Sequence, residues 1–172
     1  MGLSRPTRTG LLARSHAALP AWPVALGGAL AWAVVMGASA ALGLWLRAWE
    51  TQDRIVAVVA LFAAGGAIAF VPGLFLARLA AGQKPRGAAF AAVFLGLSIA
   101  TIGFTAALYA LVYRSYYAAW HADAFTITWA FQQVFTTLGA LGQFAVLGLR
   151  LYFPLGFAAL VAAGLLFSRQ PR

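Results

Sequence analysis

Long apolar stretches separated by short polar turns run along almost the whole chain. Four of these stretches predict transmembrane helices at about residues 24–46, 55–77, 88–113 and 151–167. Each is close to the length of about 20 apolar residues that a helix needs to cross the hydrocarbon core of a bilayer. The pattern therefore predicts an all-α integral membrane protein, with residues 1–172 forming one membrane domain.

A fifth segment, at about 125–144, is amphipathic and carries no charge. Its large apolar residues fall within an arc of about 120° when they are placed on a helix, and threonines and glutamines occupy the remainder. We expect an amphipathic helix at the outer surface of the membrane. The alternative is a fifth span whose polar face is buried, where every amide would need a hydrogen-bond partner.

The basic residues help to choose between four and five spans. With four spans, the leader 1–19, the turn 78–86 and the C-terminal tail share one side and carry eight basic residues, against four on the other side. With five spans the division is seven against five. Because cytoplasmic loops are enriched in Lys and Arg, we expect four spans, both termini in the cytoplasm, a retained basic leader, and an external aromatic and amphipathic connection at 114–150.

Composition narrows the class of protein further. The chain is 63% hydrophobic and only 9% charged, whereas soluble domains carry about 25% charged residues. The net charge of +9 is spread over helix ends, which favours contact with anionic lipid and not with nucleic acid. Abundant Ala, Gly and Arg with a single Lys indicates GC-rich coding, and hence a bacterial inner membrane.

The chemistry available to the chain is limited. It has no cysteine, no acidic residue inside a predicted span, and only two histidines, both outside the spans. Proton-coupled transporters usually need an intramembrane carboxylate, and a metal site needs three or four ligands. The sequence therefore predicts no metal site, no cofactor and no catalytic set.

Four of the five tyrosines lie in one stretch, Tyr109 to Asp123. The stretch resembles a helix that leaves the bilayer through an aromatic belt. One hypothesis is that an arginine here binds a lipid phosphate while a histidine and an aspartate form an acid–base pair. The favoured alternative is a snorkelling arginine and a polar loop. The candidates for lipid or partner contact are Arg114, Tyr116, Tyr117, Trp120, His121 and Asp123.

Small residues recur at intervals of four along the first three predicted spans. Such rows allow two helices to approach closely in lipid. We expect them to pack helices together, either within the chain or against partners. The candidate packing residues are Ala33, Gly37, Gly65, Gly73, Ala92 and Gly96.

These observations favour a non-enzymatic accessory or scaffold subunit of a bacterial inner-membrane complex. Its expected partners are membrane lipids and other integral membrane subunits. The alternative from another class is a small oligomeric channel or carrier for a neutral or anionic solute, suggested by the proline in the second span and the Gln/Thr face of 125–144. A third hypothesis is a lipid-modifying enzyme that uses Arg114, His121 and Asp123.

Overall fold

The computed structural model describes residues 11–82 and 85–169, and most of this part of the chain is helical. The first ten residues of the predicted leader lie outside the described residues. No strand occurs in the described ranges, which confirms the all-α prediction. The helices are α1 (Leu11–Ala18), α2 (Trp22–Trp45), α3 (Gln52–Ala81), α4 (Arg86–Tyr117), α5 (Ile127–Gln143) and α6 (Leu155–Ser168).

Four helical stretches are long and apolar enough to cross a membrane, which confirms a multi-pass membrane architecture. The fourth stretch differs from the expected 151–167. A π-helical turn and a 3₁₀ turn continue α5 as far as Tyr152, and α6 is a shorter apolar helix of 14 residues. At 1.5 Å per residue α6 rises about 21 Å, which is less than the core thickness of about 30 Å. The qualifying stretches are Trp22–Trp45, Gln52–Ala81, Arg86–Trp120 and Ile127–Tyr152.

Helices α2, α3 and α4 are antiparallel neighbours, so the bundle has two distinct ends. We call the end with Trp22 and Arg86 the leader end, and the end with Trp45 and Tyr117 the tyrosine end. The ring of Phe167 near the end of α6 lies 6.2 Å from the ring of Phe70, and Gly164 of α6 contacts Phe90 at the start of α4. The last turn of α6 therefore lies at the leader end.

Glycines stand at the closest approaches between the first three long helices. A Cβ atom built on Gly96 would lie 2.7 Å from the carbonyl oxygen of Gly73, and one built on Gly65 would overlap the side chain of Thr105. Gly37 is packed against Ala63 in the same way, at 3.2 Å. Helices approach this closely only where no side chain intervenes, so these glycines hold α2, α3 and α4 together inside one chain.

The two alanines among the predicted packing residues are less enclosed. Ala33 on α2 and Ala92 on α4 are half-buried, whereas the four predicted glycines are all buried. Among the predicted packing residues, the helices therefore approach one another most closely at the glycines.

A polar cluster is buried in the middle of the bundle. The indole nitrogen of Trp32 donates to the hydroxyl of Thr101 at 2.9 Å, and the hydroxyl of Thr105 donates to the carbonyl of Thr101 at 2.7 Å. The hydroxyl of Tyr152 donates to the same carbonyl at 3.4 Å. Every side-chain polar atom here has a partner, as burial requires, so the cluster joins α2, α4 and the turn before α6.

The regular helix is interrupted between Gln143 and α6, and a serine on α2 forms hydrogen bonds with backbone groups at this break. Pro154 has no backbone N–H, so the regular ladder cannot continue through it. The hydroxyl of Ser39, which is fully buried, donates to the carbonyl of Leu151 at 2.8 Å and accepts from the amide of Gly156 at 3.1 Å. Irregular backbone at membrane depth is tolerated where such groups are satisfied.

The break lies inside the membrane-spanning part of the bundle. Ser39 stands six residues before the end of α2, a distance of about 9 Å along the helix. Gly43, one turn further along α2, packs against the side chain and the Cα atom of Leu151. The segment before α6 therefore crosses the face of the bundle at this depth, and α6 then runs to the leader end.

The amphipathic helix α5 runs antiparallel to α4 and turns its polar face towards the end of α4 and the loop after it. Gln143 at its end is hydrogen-bonded to Tyr109 at 2.9 Å, and Gln133 is hydrogen-bonded to His121 just after α4, at 3.0 Å. The second half of α5 therefore runs antiparallel to the end of α4. The hydrogen bonds between them explain this orientation, because the polar face of α5 finds its partners on α4.

Candidate functional site

Aromatic rings form a continuous ladder along the exposed side of α4 at the tyrosine end. The rings of Tyr113 and Tyr117 lie 4.7 Å apart, and Tyr116 lies 5.1 Å from Tyr117 and 5.4 Å from Trp120. Tyr116 and Trp120 expose 60% and 65% of their surface. Exposed tyrosine and tryptophan rings suit the membrane–water interface, where one part of the ring is wet and another apolar.

His121 is held by α5 through both ring nitrogens. The amide nitrogen of Gln133 lies 3.0 Å from Nδ1, and the hydroxyl of Thr136 lies 3.2 Å from Nε2. The backbone amide of Ala122 donates to the side-chain oxygen of Gln132 at 2.8 Å. These contacts fasten the loop after α4 to the polar face of α5.

The structure does not bring Arg114, His121 and Asp123 together as a reactive set. Arg114 and Asp123 are exposed, and the backbone carbonyl of Asp123 accepts from the hydroxyl and the amide of Thr126, at 2.8 and 3.3 Å. Since both nitrogens of His121 are already engaged, its geometry is that of a structural side chain. Among the described residues no group of His, Asp and Glu could hold a metal ion.

A cavity of about 540 Å³ lies between α2, α3, α4 and the turns after α5, at the tyrosine end. Its walls are mainly apolar, and its polar contributors include three arginines from three separate parts of the chain. Arg47 follows α2, Arg54 lies in the first turn of α3, and Arg150 lies in the 3₁₀ turn before α6. Tyr109 and Gln143, which are hydrogen-bonded to one another, also line it.

The three arginines lack carboxylate partners. No ion pair joins any two residues in the described ranges, although Glu50 lies in the loop between α2 and α3 and Asp53 in the first turn of α3. A guanidinium nitrogen of Arg47 donates to the carbonyl of Gly43 at 2.6 Å, which directs this side chain along α2. The cavity thus combines an apolar interior with three arginines that have no ion-pair partner in the described chain.

Sequence reasoning missed this convergence, although a signal was present. The basic-residue count places Arg47, Arg54 and Arg150 on the same side of the membrane as Arg114. Their convergence on one cavity depends on the break before α6, which folds Arg150 back against α2 and α3.

A second feature of the tyrosine end is the apolar face of α5. Three contacts show which residues of neighbouring helices lie at the same height: Gly37 with Ala63, Gly65 with Thr105, and Tyr109 with Gln143. Counting residues from these contacts along the antiparallel helices places Phe135 at about the level of Trp45. Residues 127–134 therefore rise about 12 Å beyond Trp45. Phe125 and Phe131 expose 92% and 60% of their surface there. Large apolar side chains are thus uncovered beyond the level at which the tryptophan marks the interface.

No protein-family model, curated protein or solved structure matches this chain. The fold defines the class as a multi-pass membrane protein with four long apolar helical stretches. The function has to be inferred from the geometry of the chain.

Proposed function

We propose that this protein is a non-enzymatic accessory or scaffold subunit of a bacterial inner-membrane complex, with both termini in the cytoplasm. The observation that carries the proposal is the uncovered apolar face of α5 beyond Trp45. Phe125, Ile127 and Phe131 expose between 60% and 92% of their surface and lie beyond the level of Trp45. Contiguous exposed apolar patches mark interaction sites, and a neighbouring subunit at this end would cover the face.

The internal use of the glycine rows changes where a partner would bind. Gly65, Gly73 and Gly96 contact other helices of the same chain, so they are not available to a second protein. The aromatic external surface, formed by α5 with Tyr116 and Trp120, is the part of the predicted association surface that stays exposed. The expected docking site is therefore external.

The geometry does not favour the channel hypothesis. A solute path along α5 needs a free polar face, but each of its glutamines makes a hydrogen bond to α4 or the following loop, although the buried Oε1 of Gln133 has no partner in the described chain. Gln143 binds both Tyr109 and Tyr113, and Thr137 donates to the backbone of Gln133. Helix α3 also continues through Pro72 without a break.

Site-specific photocrosslinking in intact cells tests the proposal. A benzophenone amino acid at Phe131 should capture one defined membrane protein, and the band should persist when the chain is expressed at its native level. The matched control is Ile99, which is 64% exposed within α4 and faces away from the bundle core. We expect lipid adducts alone at Ile99. Lipid adducts alone at both positions would contradict the subunit proposal.

A substitution sharpens this test. Phe131→Gln should reduce capture by a probe at Phe135, because one large aromatic anchor in an interface typically contributes about 2 kcal/mol or more. Leu95→Gln, at an exposed position inside the bilayer, should not change capture at Phe135. Equal capture in both variants would show that α5 does not contact the partner through this face.

A further inference from the structure

The geometry points to a binding site for an anionic phospholipid in the cavity at the tyrosine end. One acyl chain lies in the apolar interior, and the headgroup phosphate is bound between Arg47, Arg54 and Arg150. This site is independent of the subunit proposal, since a lipid can bind the isolated chain. It also differs from the lipid contact expected at Arg114, which does not line the cavity.

Charge is the first argument. The guanidinium groups of Arg54 and Arg150 make no hydrogen bond or ion pair with another described residue, and that of Arg47 binds only a backbone carbonyl. Three arginines line one cavity, and no carboxylate of the described chain lies within ion-pair distance of them, which favours the binding of an anion. Guanidinium groups match phosphate oxygens through paired, charge-assisted hydrogen bonds. The site is therefore complementary to a phosphate group.

The apolar interior is the second argument. Leu44, Val58, Leu61, Leu108 and Leu147 line the cavity, and its volume of about 540 Å³ lies within the range of small-molecule sites, about 300–1,000 Å³. A hydrated phosphate ion would leave these walls unfilled. An acyl chain fills them and removes apolar surface from water, which is favourable.

Position is the third argument. Trp45 and Trp49 are exposed by 74% and 49% at the same end, where tryptophan marks the lipid headgroup region. Ala57 and Leu147, which line the cavity, are themselves exposed, so it can be reached from the surrounding bilayer.

Native mass spectrometry of the detergent-purified protein tests this site. The probes are phosphatidylglycerol and phosphatidylcholine with identical acyl chains. We expect phosphatidylglycerol to bind the native chain in preference to phosphatidylcholine, and the double variant Arg54→Gln/Arg150→Gln to bind it about tenfold more weakly, since hydrogen bonds to charged groups are lost. The matched control is Arg114→Gln, which removes a charge at the same end outside the cavity.

The control decides between a site and general attraction to a basic surface. The single variants Arg54→Gln and Arg150→Gln each remove one charge, as Arg114→Gln does. Equal weakening by all three would overturn the proposal. Equal binding of phosphatidylcholine by the native chain would also overturn it, because the arginines would then have no role.

A second pair of variants tests the apolar interior without changing charge. Ala57→Phe places a ring in the cavity, whereas Ala60→Phe lies at an exposed position of the same helix outside it. Only Ala57→Phe should weaken retention of phosphatidylglycerol, by about tenfold. Displacement of the lipid by excess inorganic phosphate would show that the arginines bind a free anion. Equal retention by both variants would show that no acyl chain occupies the apolar interior. Either result would contradict a lipid site.

Discussion

Replacement of Ser39 by alanine tests how the helix break before α6 is held. The serine hydroxyl is fully buried and bonds to the carbonyl of Leu151 and the amide of Gly156, at 2.8 and 3.1 Å. Within the described chain these two backbone groups have no other hydrogen-bond partner. Ser39→Ala therefore removes one small group and leaves two buried polar groups unpaired.

The expected cost follows from two competing magnitudes. A buried group left without a partner costs about 1–3 kcal/mol in soluble proteins. Hydrogen bonds between membrane helices average about 0.6 kcal/mol and reach about 1.7, because the unfolded chain in the membrane also finds partners. Two groups lose their partner here, so we expect Ser39→Ala to lower the free energy of unfolding by about 1–3 kcal/mol.

Unfolding in mixed micelles with increasing dodecyl sulfate measures this free energy. The matched control is Ser115→Ala, whose hydroxyl binds the carbonyl of Leu111 on its own exposed helix, a back-bond that stabilises little. Hydrogen exchange should also become faster at the amide of Gly156. A variant at Ser39 that unfolds like the control, with unchanged exchange at Gly156, would refute this account of the break.

Three further predictions concern packing, the loop after α4, and topology. Gly96→Leu should destabilise the bundle by about 1–3 kcal/mol, whereas Leu95→Ala, at a 55% exposed position, should cost much less; equal unfolding would show that the glycine faces lipid. His121→Ala should speed hydrogen exchange in α5 without unfolding α2 to α4, and unchanged exchange would show that the histidine does not fasten α5. Because the chain has no cysteine, single cysteines at Glu50 and Ser168 can be labelled from outside, and we expect labelling only at Glu50; labelling of both would contradict four crossings.

Local pattern was sufficient for most of the fold. The apolar stretches predicted α2, α3 and α4 to within a few residues at each end, and the amphipathic segment 125–144 contains α5. These elements are set by periodicity and by the length of apolar runs, both of which are local in sequence. The predicted span 151–167 overlaps α6, but it begins before the break at Pro154.

The contacts that define the candidate sites were not predictable in this way. Ser39 and Gly156 are separated by 117 residues, and neither has a local pattern that indicates the other. Arg150 looks like an ordinary interfacial arginine in the sequence. It becomes part of a cavity only because the chain folds back across the bundle after α5. The partners of Gln133 and Gln143 likewise depend on how α5 packs against α4.

The composition of the native assembly tests the proposed function most directly. The protein should be expressed from its own locus with a small affinity tag, extracted in mild detergent, and weighed intact by native mass spectrometry. The account predicts a heteromeric complex of fixed stoichiometry that contains this chain of 18.1 kDa and at least one other integral membrane protein. Recovery of the chain as a monomer, or as a complex of identical copies alone, would contradict the proposal that it is an accessory subunit.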